Sequence, residues 1–363
     1  MRVICVSRFL VALSICLALT FGMSLTKVES SEPLASDVIP PSDLKKDMVA
    51  AAGEGSGPTT EKPVIGATQP PSPLSWNVRA GLLLLHREKN DKVTLFTDGT
   101  GNTLLNAKDL NLGVGFGLDA GLGVKLRTFG TAFGAEVRYF GIYEWSQSDS
   151  ASSQFVLLRR GAYSIGYFAA PPNSVKVNAD YESGLQNVEL NLSWYPIERI
   201  RVFIGLRYIN IDEELKNTID FASGGALTTE KITANNKLLG GQVGIEGVFL
   251  GKTDDGFSID GWAKVGYFNN DISTKATLNG PIGPESTKSN KDKSTLGTEF
   301  GIGVKYAFTR NIALSARYQL LWLNEVAFAP QQVPVVNYIT GRFTAATDSV
   351  LYQGGWIGCI ISW

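Results

Sequence analysis

From residue 76 onward the chain alternates. Apolar side chains fall on one parity of a segment and polar, charged or glycine residues on the other. Near 131–146 the odd positions are Ala135, Val137, Tyr139, Gly141, Tyr143 and Trp145, while the even ones include Glu136, Arg138 and Glu144. Near 110–127, Leu112, Val114, Phe116, Leu118, Leu122 and Val124 oppose a glycine-rich set that includes Asp119 and Lys125. Stretches 199–212, 295–308 and 311–325 divide the same way. Successive side chains of a strand point to opposite faces, so a period of two predicts strands with one apolar and one polar face. Ten segments qualify: 76–87, 110–127, 131–146, 177–195, 199–212, 237–250, 257–270, 295–308, 311–325 and 349–363. Each exceeds the roughly 9–11 residues a tilted strand needs to cross a bilayer.

The connections add a second pattern. Those at 128–130, 196–198, 251–256 and 309–310 are short, whereas 88–109, 147–176, 213–236, 271–294 and 326–348 are long and polar. Short and long links alternate, as they do when one rim of a membrane barrel carries tight turns and the other carries external loops. An open sheet edge in hydrocarbon would leave backbone groups unpaired, so the sheet must close. The expected fold is all-β: a transmembrane antiparallel up-and-down β-barrel of about ten strands, with twelve as the upper figure, over residues 74–363.

Aromatic residues on the apolar parity fall in two bands. Trp76, Trp194, Tyr306 and Trp363 lie toward the short-turn rim, and Tyr143, Trp145, Tyr208, Tyr267 and Trp322 toward the long-loop rim. Two such belts at the two interfaces form an aromatic girdle.

The start of the chain reads differently. Arg2 and Arg8 precede an uncharged apolar run from Phe9 to Phe21, followed by small residues. This is the layout of a secretory signal peptide, assigned to 1–30, with cleavage near Ser24 or Ser30. Residues 31–73 are rich in Pro, Ser, Ala, Gly and Thr without an apolar period, which predicts a disordered periplasmic linker. No later segment has eighteen consecutive apolar residues, so no transmembrane helix is expected.

Two stretches resemble known proteins: Gly134-Ala-Glu-Val-Arg-Tyr-Phe-Gly-Ile, and Asn187-Val-Glu-Leu-Asn-Leu-Ser-Trp together with Phe203-Ile-Gly-Leu-Arg-Tyr-Ile-Asn-Ile-Asp-Glu-Glu-Leu. They resemble bacterial outer-membrane β-barrel proteins of the porin-like, pore-forming kind. That resemblance implies a location in the bacterial cell outer membrane with outer-membrane lipid around the barrel. It implies a pore by association only, since fold does not fix function. The final strand places Ile357, Cys359, Ile361 and Trp363 on one parity. This is similar to the terminal signal read by the barrel-assembly machinery, an expected partner.

Charge then bears on the lumen. With 33 basic and 34 acidic residues the chain has no basic excess, so nucleic acid is not an expected partner. The inward parity carries Arg79, Lys125, Arg138, Arg201, Arg207, Lys264, Lys305 and Arg317 against Asp119, Glu136, Glu144, Glu189, Glu246, Asp260 and Glu299. A selective pore favours one dominant sign. Balanced charges in a narrow barrel instead tend to pair and fill it. The first expectation is passive diffusion of ions or small hydrophilic solutes through a narrow polar lumen. The alternative is a structural or adhesive barrel with a charge-filled lumen, whose long external loops bind a partner.

Catalytic chemistry finds little footing. His86 is the only histidine, and Cys359 is the only cysteine outside the leader. Together they cannot build a zinc or haem site. An omptin-like protease, also ten-stranded, would place an acid two residues before a histidine, where Leu84 stands. The reading is therefore of no enzyme, no cofactor and no metal.

Overall fold

The computed structural model describes residues 74–363 except 89–91, 129, 162, 222–227, 252–255, 281–282 and 342, and leaves the side chains of Glu144 and Tyr163 undescribed. The signal peptide and linker expected over 1–73 lie outside the described residues.

Ten antiparallel strands close into a barrel. They are β1 (Leu74–Arg87), β4 (Val114–Thr128), β5 (Thr131–Ser153), β8 (Val175–Ile197), β9 (Ile200–Phe221), β10 (Thr228–Gly251), β11 (Gly256–Gly280), β12 (Gly283–Ala307), β13 (Ile312–Val326) and β14 (Asp348–Ser362). Each of the ten alternating segments became one of them. The ring closes where β1 pairs with both β4 and β14. Trp76 and Trp363 exchange backbone hydrogen bonds at this seam, at 2.8 and 3.0 Å.

The apolar parity faces outward. Phe116, Leu192, Ile204, Leu206, Leu239 and Ile302 are all more than half exposed, a surface compatible only with lipid at this density. This is a transmembrane barrel.

Strand length is uneven around the ring. β5, β8, β9, β10, β11 and β12 have 22 to 25 residues, whereas β1, β4, β13 and β14 have 14 or 15. The six long strands are neighbours, so they rise together beyond the bilayer as a curved sheet. The sequence reading took 213–236 and 271–294 as polar links, and this is corrected. Apart from 222–227 and 281–282, they are strand extensions. Their outer faces are charged, but Leu215, Ile219, Ile232, Ala234, Ile272 and Ala276 still alternate inward and are buried.

The inner face of this extension is covered by a second sheet. β2 (Thr94–Asp98) and β3 (Thr103–Asn106) come from the β1–β4 link. β6 (Phe155–Arg160) and β7 (Tyr163–Phe168) come from the β5–β8 link. The four pair in the order β3-β2-β6-β7. Leu95, Phe96, Val156 and Leu158 pack with Val177, Tyr181, Leu215 and Ile232 of the long strands, and with Val333, Val336 and Tyr338 of the β13–β14 link. The outer half is thus a two-layer sandwich standing on the barrel.

Candidate functional site

The barrel interior is layered. The layer nearest the short-turn rim is a chain of alternating charges from strands all round the ring. Arg79 lies 3.2 Å from Glu136, which lies 3.0 Å from Arg201. Arg201 lies 3.1 Å from Glu246, and Arg317 bridges Glu246 and Asp260 at 3.4 Å each. Lys125 and Lys305 are half-buried on the same inward parity. The Lys125 ammonium sits 4.1 Å from the centre of the Tyr195 ring.

Above it, three cations meet three carboxylates. Lys264 is 3.0 Å from both Glu189 and Glu299. Arg207 is 2.9 Å from Glu299, and Arg138 is 3.2 Å from Glu299 while its Nε donates to Asp119 at 3.0 Å. Glu189 and Glu299 are wholly buried. Gln242 and Asn191 donate to Glu189, and the Trp262 indole donates to Glu299 at 3.0 Å. A cavity of about 20 Å³ remains between the two charged layers, bounded by Arg79, Glu136, Arg201 and Lys264. That is room for about one water.

Glycines on the inward parity make space for rings rather than for solvent. Cβ atoms built at Gly115, Gly81 and Gly301 would fall 1.7, 2.6 and 2.1 Å from the indoles of Trp145, Trp356 and Trp262. Each large ring lies flat on a neighbouring strand that has no side chain there.

The next layer is apolar. Leu83, Leu85, Phe140, Ile142, Leu185, Ile209, Leu238, Phe268 and Leu321 are at most 1 % exposed and form one cluster with Trp145, Tyr352 and Trp356. At its outer boundary Arg87 pairs with Glu213, and the Arg87 guanidinium also donates to the Tyr181 hydroxyl at 2.6 Å. Glu213 accepts from the backbone N–H of Ala329 at 3.0 Å. Asn236 both donates to and accepts from the Ala327 backbone, at 2.8 Å each. These bonds strap the β13–β14 link, with its one-turn helix Ala329–Gln332, across the mouth. Higher still, Arg160 of β6 pairs with Glu230 of β10 at 2.6 Å, and Tyr338 and Asn217 also donate to Glu230.

Of the inward charges read from the sequence, Arg79, Asp119, Glu136, Arg138, Glu189, Arg201, Arg207, Glu246, Asp260, Lys264, Glu299 and Arg317 are brought together in the two charged layers. Glu144 carries no description of its side chain. Trp145 is a correction: it was expected in the outer girdle but points inward, 2 % exposed, stacked on Tyr352 with ring centres 6.0 Å apart. The cause is an extra residue in β5, where Ile142 opposes Leu185 but Trp145 opposes Ser183, which reverses the parity. Trp76, Tyr143, Trp194, Tyr208, Tyr267, Tyr306 and Trp363 are exposed outward, and Trp322 is half-buried on the same face. His86 lies at the outer end of β1 and its Nδ1 donates to the Gly113 carbonyl at 3.0 Å.

The apolar cluster, the Arg87–Glu213 pair and the Arg160–Glu230 pair were not read from the sequence. A strict inward count along β1 would have reached Arg87 from Arg79 through Leu83 and Leu85. Arg160 and Glu230 lay in stretches taken for loops. Among the described residues, no group of His, Cys, Asp and Glu side chains has the arrangement of a metal site.

No known sequence family matches the chain, and no curated protein does. Among solved structures, it is similar to the outer membrane protease OmpT from Escherichia coli: 8 % identity, 80 % of this chain and 98 % of that one, TM-score 0.40. Neisserial surface protein A gives 10 % identity, 79 % and 96 % coverage and a TM-score of 0.23. The outer membrane protein OprG from Pseudomonas aeruginosa gives 10 %, 80 % and 95 %, and 0.21.

Proposed function

We propose that this chain is a bacterial outer-membrane barrel closed to diffusion, and that it anchors and displays the two-layer sandwich as an extracellular binding module. One observation carries the reading: the apolar layer around Leu83, Phe140, Ile209 and Trp356 fills the lumen between the charged layers and the sandwich. An open pore would solvate these side chains, yet those four are 0 to 4 % exposed. The leader pattern of the first thirty residues and the lipid-facing band support export to the outer membrane, with insertion through β14 by the barrel-assembly machinery. No catalytic role is assigned.

The test is a planar-bilayer recording of the purified protein. Silence is expected, and discrete conductance steps would overturn the closed reading. Replacing residues 154–174, the part of the β5–β8 link outside both strands, with a short turn should abolish adhesion to its partner surface while leaving heat-modifiable gel migration intact.

A second reading is the narrow passive channel for ions or small solutes, opened when the mouth is released. The polar layers at the short-turn end favour it. Its signature would be conductance that appears only when residues 327–347 are deleted, with selectivity shifted by Arg201→Gln.

A further inference from the structure

The outer wall of β9, β10, β11 and β12 carries three tiers. The lowest is a groove of about 680 Å³ in the lipid-facing surface. It forms because Gly241 lies between Leu206 and Tyr267 on the neighbouring strands, and a Cβ there would meet only one atom, at 3.9 Å. Leu192, Ile204, Val243 and Val265 complete its apolar lining.

The highest tier is a block of lysines. Lys216 directly opposes Lys231 across β9 and β10, and Lys275 directly opposes Lys288 across β11 and β12. Lys231 and Lys275 are diagonal neighbours, because Lys231 opposes Thr277. Like charges opposite one another destabilise a sheet. On the same outer face Glu214 lies 2.7 Å from Lys231 and Asp180 faces Lys216 from β8, while Glu182, Asp212, Asp271 and Asp292 stand closer to the membrane. No ion pair joins Lys275 or Lys288 to an acid among the described residues. Lysine on an exposed edge guards against strand pairing, and the upper part of β12 is such an edge. That account does not reach Lys231 and Lys275, whose strands are paired on both sides.

Between these tiers the outward positions mix amides and hydroxyls with charges. Asn210, Asn235, Asn269, Ser273 and Asn290 stand with Asp212, Lys237, Asp271 and Asp292, a polar band suited to sugars in which Asn210 and Asn235 both donate to Asp212. Each groove strand carries its lysine eight to ten residues further out: 206 to 216, 241 to 231, 267 to 275 and 296 to 288. At about 3.3 Å per residue and a tilt near 40°, the lysines stand roughly 20 Å above the groove. Tyr267 of the outer aromatic band lines the groove, so the groove lies near the interface where a glycerophospholipid carries its own phosphate, and the lysines stand well beyond that level.

We propose that this wall binds a phosphorylated glycolipid of the outer leaflet, with one acyl chain in the Gly241 groove, sugars across the amide band and sugar phosphates on the lysine block. The proposal rests on the outer-membrane location given above, which cell fractionation tests separately. The protein in detergent micelles is titrated with three probes: lipopolysaccharide with a phosphorylated inner core, the same material with that core dephosphorylated, and lipid A alone. The first should bind about tenfold more tightly than the other two. Lys275→Glu with Lys288→Glu should remove that advantage and leave lipid A binding unchanged, whereas Gly241→Trp should weaken all three. Heat-modifiable migration verifies that each variant is folded. Equal binding of the first two probes, or a double lysine variant that binds like the native protein, overturns the proposal.

Discussion

The indole of Trp262 lies flat on Gly301 of the adjacent strand, so close that a Cβ at Gly301 would sit 2.1 Å from its Cζ2. The same indole donates to Glu299, so one glycine positions both a ring and a buried carboxylate. Gly301→Ala should push Trp262 off its seat and weaken that hydrogen bond. A loss of about 1–3 kcal/mol is expected from overpacking. Urea titration of gel migration would measure it, and a variant as stable as the native protein would show that the ring relocates freely.

The centre of three cations and three carboxylates makes a sharper prediction. Glu299→Leu leaves Arg138, Arg207 and Lys264 to share Glu189 and Asp119, and should cost about 3–5 kcal/mol, as breaking a buried pair does. Adding Lys264→Met removes one excess charge and should recover part of that loss. Additive losses in the double variant, read by the same titration, would mean that the pair is not coupled.

Arg160→Ala leaves Glu230 buried beside Tyr338 and Asn217 with its cation gone. The sandwich should loosen while the membrane section stays folded. Limited proteolysis should then cut within 155–168, with heat-modifiable migration unchanged. Resistance equal to the native protein would show that the apolar core alone holds the upper sheet.

The inward turn of Trp145 is testable by quenching with brominated lipid. Trp194→Phe should lower the quenched fraction of the fluorescence, because Trp194 is 48 % exposed on the lipid face. Trp145→Phe should not lower it. The opposite pattern would restore the uninterrupted parity of β5.

At the β2–β3 tip, Asp98 accepts from Thr100 and Asn102, and the Thr100 hydroxyl foremost holds its carboxylate down at about 2. A carboxylate depressed in this way contributes to the turn above its ordinary range near 3.8. That contribution fades as pH falls through about 2. Carboxyl NMR shifts of Asp98 should therefore titrate near pH 2, and a midpoint near 4 would mean that the tip is open.

The barrel was legible because its two faces meet opposite demands, lipid outside and paired charge inside, and period-two alternation records both. Asp119, Glu136, Arg138 and Glu299 could be placed on the inner wall by counting alone. Counting failed at Trp145, where one inserted residue in β5 reversed the phase. It failed differently at Leu215, Ile232 and Ile272. Their strands leave the membrane, so the outward residues become Lys216, Lys231 and Asp271, and a charged outer face reads as loop unless the inner face is read alone. The upper sheet was least visible, because β2, β3, β6 and β7 have only four to six residues each and pair across two separate links.

The charged centre also bears on how the ring is made. Arg138 and Glu299 are 161 positions apart, on strands that the ring does not place side by side. An unfinished sheet holding only the strands through β8 would present Arg138 and Glu189 without Arg207, Lys264 or Glu299. The full set of partners is assembled only when β12 has curled round to face β5. The network therefore acts as a closure gauge: a ring with the wrong number of strands, or one shifted in register, leaves stranded charge in its wall, and that penalty sets the correct barrel apart from its near misses.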